Sequence, residues 1–154
     1  MVKKNKTNIL FPCKHNVFRS KVAEAYFKKI NEDTSLNVSS AGIINADWLT
    51  PIERKIVKRQ MKIAKTLGIN YKFGSRNLKI SLLNKQDIIV IVADDVPNIF
   101  RNQFYLKPSL EVIRWKIPDV KKNRTSDKFI KKSVMQIIKK VERLVKKRKS
   151  RKWT

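Results

Sequence analysis

The sequence predicts an α/β fold in which a small, doubly wound, four-stranded parallel sheet carries helices on both faces. Four short apolar segments alternate with longer segments of helical periodicity, as in folds built from β-α-β units. The segment from Ile88 to Ala93 is apolar at every position, which is typical of a strand covered on both faces. The 154 residues, of which 42% are hydrophobic, suffice for a single domain spanning 1–154.

The first third of the chain predicts strand, loop, helix and strand. Asn8 to Phe11 is a short buried strand, and Leu36 to Val38 is a second one. Ser39 to Ile43, with the sequence SSAGI, is predicted as a loop because Gly42 allows the backbone to turn tightly. Between the two strands, apolar residues at helical spacing predict a helix: Val22, Ala23, Tyr26, Phe27 and Ile30.

The next helix has explicit start and stop signals. Thr50 is a suitable N-cap, Pro51 occupies the first helical position, and Glu53 completes a capping box. Gly68 is placed to end the helix. A polar connection, Asn70 to Asn77, follows it.

The second half of the chain predicts two strands and a long final helix. Ile88 to Ala93 belongs at the centre of the sheet, and Leu110 to Trp115 is a further strand. After a polar loop, Ser126 can cap the last helix. That helix carries one apolar face and a largely basic opposite face.

The charge is the strongest compositional signal. Lys and Arg number 37 against 12 Asp and Glu, so the formal net charge is +25. Such a field attracts phosphate polymers and acidic partners. Nine of the basic residues lie between Lys139 and Lys152, and they predict a basic C-terminal tail from about residue 146 to residue 154. The tail is either a solvated helix end or a site of non-specific nucleic-acid binding.

The same composition excludes several classes of protein. One Cys and one His cannot assemble a four-ligand zinc site, an iron–sulfur cluster or an internal disulfide, so we expect no metal and no cofactor. Only 3 Gly are present, which excludes a dinucleotide-binding fingerprint. No signal peptide is visible and the longest apolar run is too short to span a membrane, so we expect a soluble, cytoplasmic protein without membrane insertion.

One group of residues in the sequence is a candidate for a reactive site. Cys13 lies at a strand end, and Arg19 and Ser20 follow at the entrance to a helix. Backbone N–H groups of a loop that enters a helix form a cradle for an anion, and the helix dipole favours negative charge there. The same field stabilises a thiolate, while Arg19 can bind two phosphate oxygens at once. The alternative interpretation of Cys13 is a small buried apolar residue.

These residues extend into a wider resemblance. Over roughly residues 8 to 145, the chain resembles the low-molecular-weight protein tyrosine phosphatase family and its arsenate-reductase relatives. The resemblance lies in the segments ILFPCKHNVFRSKVAEAYF, VSSAGI, DIIVIVADD and IRWKIPD. The resemblance implies a four-stranded parallel sheet with a phosphate-binding loop after the first strand. The family signature, a Cys, five residues, an Arg and a Ser or Thr, matches Cys13, Arg19 and Ser20, and its Asn matches Asn16.

The resemblance also implies roles for individual residues. Cys13 is then the nucleophile that forms a phospho-cysteine intermediate, Arg19 stabilises the transferring phosphoryl group, and Asp119 is the general acid and base. Further residues are expected to bind phosphate or substrate, namely Lys14, His15, Asn16, Val17, Phe18, Ser20 and Trp48. Ser40 is expected to support the loop by hydrogen bonding.

Departures from the family pattern leave several assignments open. Phe18 replaces a second Cys of the family loop, and Val120 follows Asp119 where Pro is usual. Asp119 is alternatively a solvated loop carboxylate, and Trp48 alternatively a residue at the edge of the core. His15 either faces substrate or packs against the loop, and we favour packing. Asp94 and Asp95 either cap the next segment or brace the loop, and we assign them structure before catalysis.

Three functions fit the sequence. The first is a phosphomonoester hydrolase acting on a phosphorylated protein or a small phosphate ester. The second is an arsenate reductase, which would need an external thiol because the chain lacks the additional cysteines of thioredoxin-coupled relatives. The third is a basic protein on the same fold that binds phosphate polymers or nucleic acid and has lost turnover.

Overall fold

Eight helices and strands form in the part of the chain that the structure, a computed structural model, describes. That part comprises residues 5–44, 49–97, 108–119 and 126–151, with residues 150 and 151 described by their backbone only. The strands are β1 (Thr7–Cys13), β2 (Leu36–Gly42), β3 (Ile88–Val92) and β4 (Glu111–Trp115). The helices are α1 (Arg19–Ile30), α2 (Pro51–Thr66), α3 (Ile80–Leu83) and α4 (Asp127–Arg151).

The four strands form one parallel sheet in the order β2-β1-β3-β4, which confirms the predicted fold class. β1 lies inside the sheet and pairs with β2 from Thr7–Leu36 to Cys13–Gly42, and with β3 on its other side. Because all strands run the same way, the segments that follow Cys13, Val92 and Trp115 emerge at one edge of the sheet. Ligand sites of open α/β sheets lie at this edge.

The sheet separates two apolar layers, as the alternation of side chains along a strand requires. On one face, Ile9, Phe11 and Val90 pack into a core with residues of α1, α2 and α4. On the other face, Leu10 and the alternate residues of β3 pack with Leu83 of α3. All five residues of β3 are buried, as predicted from its uninterrupted apolar sequence.

The prediction that β2 ends at Val38 was wrong. The strand continues through Ser39, Ser40 and Ala41 to Gly42, because each of these residues pairs with the second half of β1. Small residues are weak strand formers on their own, and pairing with a buried neighbour overrides that preference. β1 is likewise longer than predicted and includes Pro12 and Cys13.

The predicted N-caps of α2 and α4 and the predicted end of α2 are confirmed. The Thr50 side chain accepts a hydrogen bond from the backbone N–H of Glu53, and α2 ends before Gly68, whose φ of +82° is the left-handed conformation that favours glycine. Ser126 Oγ accepts from Phe129 N at the start of α4. The four-residue helix α3 was not predicted.

α4 continues to Arg151, so residues 146–151 of the predicted tail are helical. Its apolar face is buried as far as Val145, and Lys149 lies 3.8 Å from Glu32 near the end of α1. No helix in the described part of the chain is long and apolar enough to cross a membrane.

Candidate active site

The loop between β1 and α1 directly follows the only cysteine of the chain. Cys13 ends β1 with 2% of its surface exposed, and α1 begins six residues later at Arg19. The N-cap residue of α1, Phe18, makes no side-chain capping bond, and the first turn contains no acidic residue. The orphan N–H groups of this helix end are therefore left to a ligand, and an anion is the ligand that they and the helix dipole favour.

Two donors surround the sulfur of Cys13. The backbone N–H of Asn16 donates to Sγ over 3.2 Å, and Ser20 Oγ lies 3.0 Å from the same sulfur. Ser20 Oγ itself accepts from Asn16 Nδ2 at 2.7 Å, which leaves the hydroxyl proton of Ser20 for the sulfur. Hydrogen bonds from two donors stabilise a thiolate more than a thiol.

Asn16 holds the loop in its shape. It is the one non-glycine residue with a positive φ, +57°, in the described part of the chain, a conformation that Asn tolerates better than most residues. Its side chain is fully buried and donates to Ser40 Oγ at 2.9 Å, while its Oδ1 accepts from the backbone of Arg76 at 2.8 Å. Ser40 in turn donates to Glu24 Oε1. The loop is thereby connected to β2, to α1 and to the connection before α3.

Gly42 allows β2 to lie directly against the loop. A Cβ atom at this position would be 2.7 Å from the carbonyl carbon of His15 and 2.8 Å from its oxygen. Real Cβ atoms essentially never approach backbone that closely, so any larger residue must push the loop away from the strand.

We therefore expect Gly42→Ala to lower the free energy of unfolding by about 1–3 kcal/mol, the usual cost of overpacking. Urea denaturation measures this change, with Ser39→Ala in the same strand as the control. An unfolding free energy equal to that of the wild-type protein would show that the loop and β2 are not in this close contact.

Arg19 is the cationic centre of the site. Only 4% of its surface is exposed, and Nη1 donates to the carbonyl of Ile117 at 2.9 Å. Nη1 lies 3.0 Å from Asp95 and Nη2 lies 3.7 Å from Asp119. Burial alone lowers the pKa of Arg19, but the interactions with Cys13, Asp119 and Asp95 outweigh it, so the pKa is raised and the guanidinium stays charged.

Three carboxylates meet Arg19 from the neighbouring strand ends. Asp94 and Asp95 follow β3, and Asp119 follows β4 after Trp115 and Ile117. Asp95 is the closest, and it orients the guanidinium from the side of β3. From the sequence, Asp94 and Asp95 were expected to have a structural role. For Asp95 this role is an ion pair with Arg19.

His15 is half-buried, and its Nδ1 is buried without a hydrogen-bond partner. Burial is the main cause that lowers the pKa of His15, and the positive charge of Lys14 lowers it further. Both effects favour the neutral form of the imidazole.

The other predicted loop residues differ in exposure. Lys14 and Val17 are half-buried, whereas the side chain of Phe18 is buried in the core below α1. Phe18 can therefore contribute only its backbone to an anion in the loop. Trp48, as well as Val120 beside the predicted acid, lies outside the described residues.

Sequence reasoning missed two supports of the loop, Glu24 and the backbone of Arg76. Glu24 accepts from Ser40, and Arg76 contacts Asn16 across 60 positions of sequence. Neither carries a local motif, so no signal in the sequence alone identifies them. Among the described residues, no group of three or more His, Cys, Asp or Glu side chains could hold a metal ion.

The comparisons with known proteins agree with this geometry. The family model described as low molecular weight phosphotyrosine protein phosphatase matches residues 8–150. No curated protein matches the chain. Among solved structures, the YwlE arginine phosphatase from Geobacillus stearothermophilus superposes with a TM-score of 0.75 at 17% identity, covering 96% of each chain.

Two further structures share the fold. A protein tyrosine phosphatase from Entamoeba histolytica has a TM-score of 0.71 at 19% identity, covering 96% of this chain and 99% of its own. An arsenate reductase from Archaeoglobus fulgidus has a TM-score of 0.62 at 23% identity, covering 89% of this chain and 98% of its own. Because the family model matches residues 8–150 of the 154 residues of this protein, the chain belongs to the low molecular weight phosphotyrosine protein phosphatase family.

Proposed function

We propose that the protein hydrolyses phosphate monoesters through a phospho-cysteine intermediate on Cys13, with Asp119 as general acid and base. One observation carries the proposal. The Cys13 sulfur, the uncapped N-terminus of α1 and the Arg19 guanidinium converge on one short loop. A phosphoryl group in that loop would meet a nucleophile, backbone donors and a fixed positive charge at once.

In the first step, the thiolate of Cys13 attacks phosphorus. The S–P bond forms as the P–O bond to the leaving group breaks, and the carboxyl of Asp119 gives its proton to the leaving oxygen. Arg19 and the loop N–H groups stabilise the charge on the phosphoryl oxygens.

In the second step, the carboxylate of Asp119 takes a proton from water, and the water oxygen attacks phosphorus. The S–P bond breaks, inorganic phosphate is released and the thiolate is restored. The hydrogen bonds of Asn16 N and Ser20 Oγ to the sulfur stabilise Cys13 as the leaving group of this step.

The substrate class that we propose is a phosphorylated protein or a small phosphate ester. The fold is shared with a protein named as an arginine phosphatase and another named as a tyrosine phosphatase. Trp48, expected from the sequence to form a wall against an aromatic substrate, is the first residue to change when substrate preference is tested.

Arsenate reduction is the second candidate, because a relative of this fold is named as an arsenate reductase. Arsenate resembles phosphate in shape, so the same loop can accept it. The chain has 1 Cys, so the arsenic–sulfur adduct on Cys13 could be resolved only by an external thiol, which must supply the electrons. Hydrolysis needs water alone, and we therefore favour it.

The role of Asp119 is tested by leaving groups of different basicity. We expect Asp119→Asn to lower kcat/KM for phenyl phosphate by about 10²–10⁴-fold, the usual contribution of a general acid. The loss for p-nitrophenyl phosphate should be much smaller, because p-nitrophenolate leaves without a proton.

A second assay incubates the wild-type protein with arsenate and glutathione in place of the ester and measures arsenate reduction. Equal losses on the two esters would contradict the acid role of Asp119. Arsenate reduction by a wild-type protein that hydrolyses neither ester would replace the proposed function by the second candidate.

A further inference from the structure

Glu24 lies in α1, outside the loop of the candidate active site, yet a continuous line of hydrogen bonds connects its carboxylate to the Cys13 sulfur. The line passes through the side chains of Ser20, Asn16 and Ser40. These three residues are at most 3% exposed, so water has little access to their hydrogen bonds. The direction in which each proton points is therefore set by the protein itself.

The side-chain amide of Asn16 has one possible orientation. A backbone N–H can only donate, so the Asn16 atom that faces the N–H of Arg76 at 2.8 Å must be Oδ1. The NH₂ group of Asn16 consequently faces two serines, with one N–H for Ser20 Oγ at 2.7 Å and the other for Ser40 Oγ at 2.9 Å. Both serine oxygens are acceptors in these bonds, so each hydroxyl keeps its own proton for another partner.

The two serine protons point to opposite ends of the line. The proton of Ser20 is directed to the sulfur of Cys13, which lies 3.0 Å from Ser20 Oγ, and the proton of Ser40 is directed to Glu24 Oε1. An ionised carboxylate can only accept, and the second oxygen of Glu24 accepts from Lys28 Nζ at 2.7 Å. Glu24 thereby holds Ser40 as a donor, which leaves the Ser40 oxygen to accept from the amide.

We propose that Glu24 is a positioning residue, which through Ser40 keeps the Ser20 proton on the active-site sulfur. The bonds reinforce one another, because a hydroxyl that donates to a carboxylate becomes a better acceptor for the next donor in the line. The inference rests on the proposed function for the catalytic importance of that sulfur. It concerns the ionisation of the sulfur, however, so it can be tested without any turnover.

The charge of Glu24 acts in the opposite direction to this orientation effect. A negative charge disfavours a second negative charge nearby, so the field of the carboxylate alone makes the Cys13 thiolate less stable. Removing the side chain of Glu24 therefore disfavours the thiolate if orientation dominates, and favours the thiolate if charge dominates. The sign of the change distinguishes the two effects.

The test measures the rate at which iodoacetamide alkylates Cys13 as a function of pH, with mass spectrometry as the detector. Cys13 is the only cysteine of the chain, so alkylation of a thiol reports on this residue alone. Two titratable groups, Arg19 and Tyr71, interact with its thiolate. Both stay unchanged in every variant of the test.

The variants separate the acceptor from the charge. Glu24→Leu removes both, Glu24→Gln removes the charge and keeps one acceptor oxygen, and Ser40→Ala breaks the link from its other side. The double variant Glu24→Leu/Ser40→Ala asks whether the two residues act in one line. Glu32→Ala removes the same charge from a side chain that is 86% exposed and serves as the control. Thermal unfolding shows that each variant is folded.

We expect Glu24→Leu to raise the midpoint of the alkylation profile by about 0.5–1 pH unit, the effect of one hydrogen bond. Ser40→Ala should do the same, and the double variant should raise it no further. Glu24→Gln should stay within about 0.2 pH unit of the wild-type protein, because its oxygen can still accept from Ser40 while the exposed Lys28 turns to solvent. Glu32→Ala should leave the profile unchanged.

A midpoint that is unchanged or lowered in Glu24→Leu would overturn the proposal, because the carboxylate would then act by its charge or have no effect. Additive rises in the double variant would also overturn it, since Glu24 would then act by a route that does not pass through Ser40. A wild-type protein without activity on p-nitrophenyl phosphate would contradict the proposed function, whereas the alkylation profiles would still decide the role of Glu24.

Discussion

Replacing Cys13 with serine is expected to reduce hydrolysis of p-nitrophenyl phosphate by at least about 10⁴-fold, as for other residues that form covalent intermediates. The donors around the sulfur, Asn16 N and Ser20 Oγ, favour an anion at this position. A serine hydroxyl is not ionised at neutral pH, so it is a poor nucleophile in the first step and a poor leaving group in the second. Steady-state rates of phosphate release measure the loss.

The Cys13→Ser protein should still bind phosphate, because Arg19 and the loop N–H groups remain in place. Stabilisation against thermal unfolding by inorganic phosphate provides the matched control. Hydrolysis at the wild-type rate in Cys13→Ser would remove the nucleophile from the account. Loss of phosphate binding together with activity would show a collapsed loop and leave the covalent role to be tested by other means.

Arg19→Lys is expected to lower kcat/KM for the same substrate by about 10³-fold, even though the charge is kept. The guanidinium makes a hydrogen bond to Ile117 O and an ion pair with Asp95, and these two contacts fix the direction of its remaining donors. An ammonium is a point charge and cannot present two parallel N–H groups to a phosphoryl group. The magnitude follows from the usual value of a transition-state arginine.

Arg59→Lys is the matched control, because Arg59 is a surface residue of α2 that pairs with Asp127. It should leave kcat/KM unchanged. If Arg19→Lys had no more effect than Arg59→Lys, the positive charge alone would suffice and the planar geometry of Arg19 would have no catalytic importance.

The elements with strong local signals were predictable from the sequence. The start of α2 follows from Thr50, Pro51 and Glu53, whose side chains and backbone act within one helical turn. β3 follows from its uninterrupted, β-branched apolar residues, which are typical of a strand buried on both faces. Both signals depend only on residues that are close together in the sequence, so they can be recognised without knowing the rest of the fold.

The features that were not predicted from the sequence depend on contacts between distant parts of the chain. Ser39 and Ser40 do not favour a strand by themselves. They belong to β2 because they pair with β1. The brace from Arg76 to Asn16 is made by a backbone N–H, which any residue except proline supplies. A contact of this kind leaves no trace in residue type, so no reading of a single sequence identifies it.

The candidate site was predictable to an intermediate degree. Cys13, Arg19 and Ser20 lie in one short segment, and the strand and helix around them bring them together. Asp119 was proposed from resemblance, and the structure has it 3.7 Å from Arg19. The ion pair of Asp95 with Arg19 depends on β1 and β3 being neighbours in the sheet, which the order of strands along the chain does not specify.

The most direct test of the covalent mechanism is to trap the intermediate. Asp119→Asn slows the attack of water, so a phosphorylated enzyme should accumulate when p-nitrophenyl phosphate is mixed with this variant and the reaction is stopped by denaturation. Mass spectrometry of the intact chain and of its peptides should find one phosphoryl group, located on Cys13. Turnover without any phosphorylated enzyme, or a phosphoryl group on His15 in place of Cys13, would contradict the mechanism.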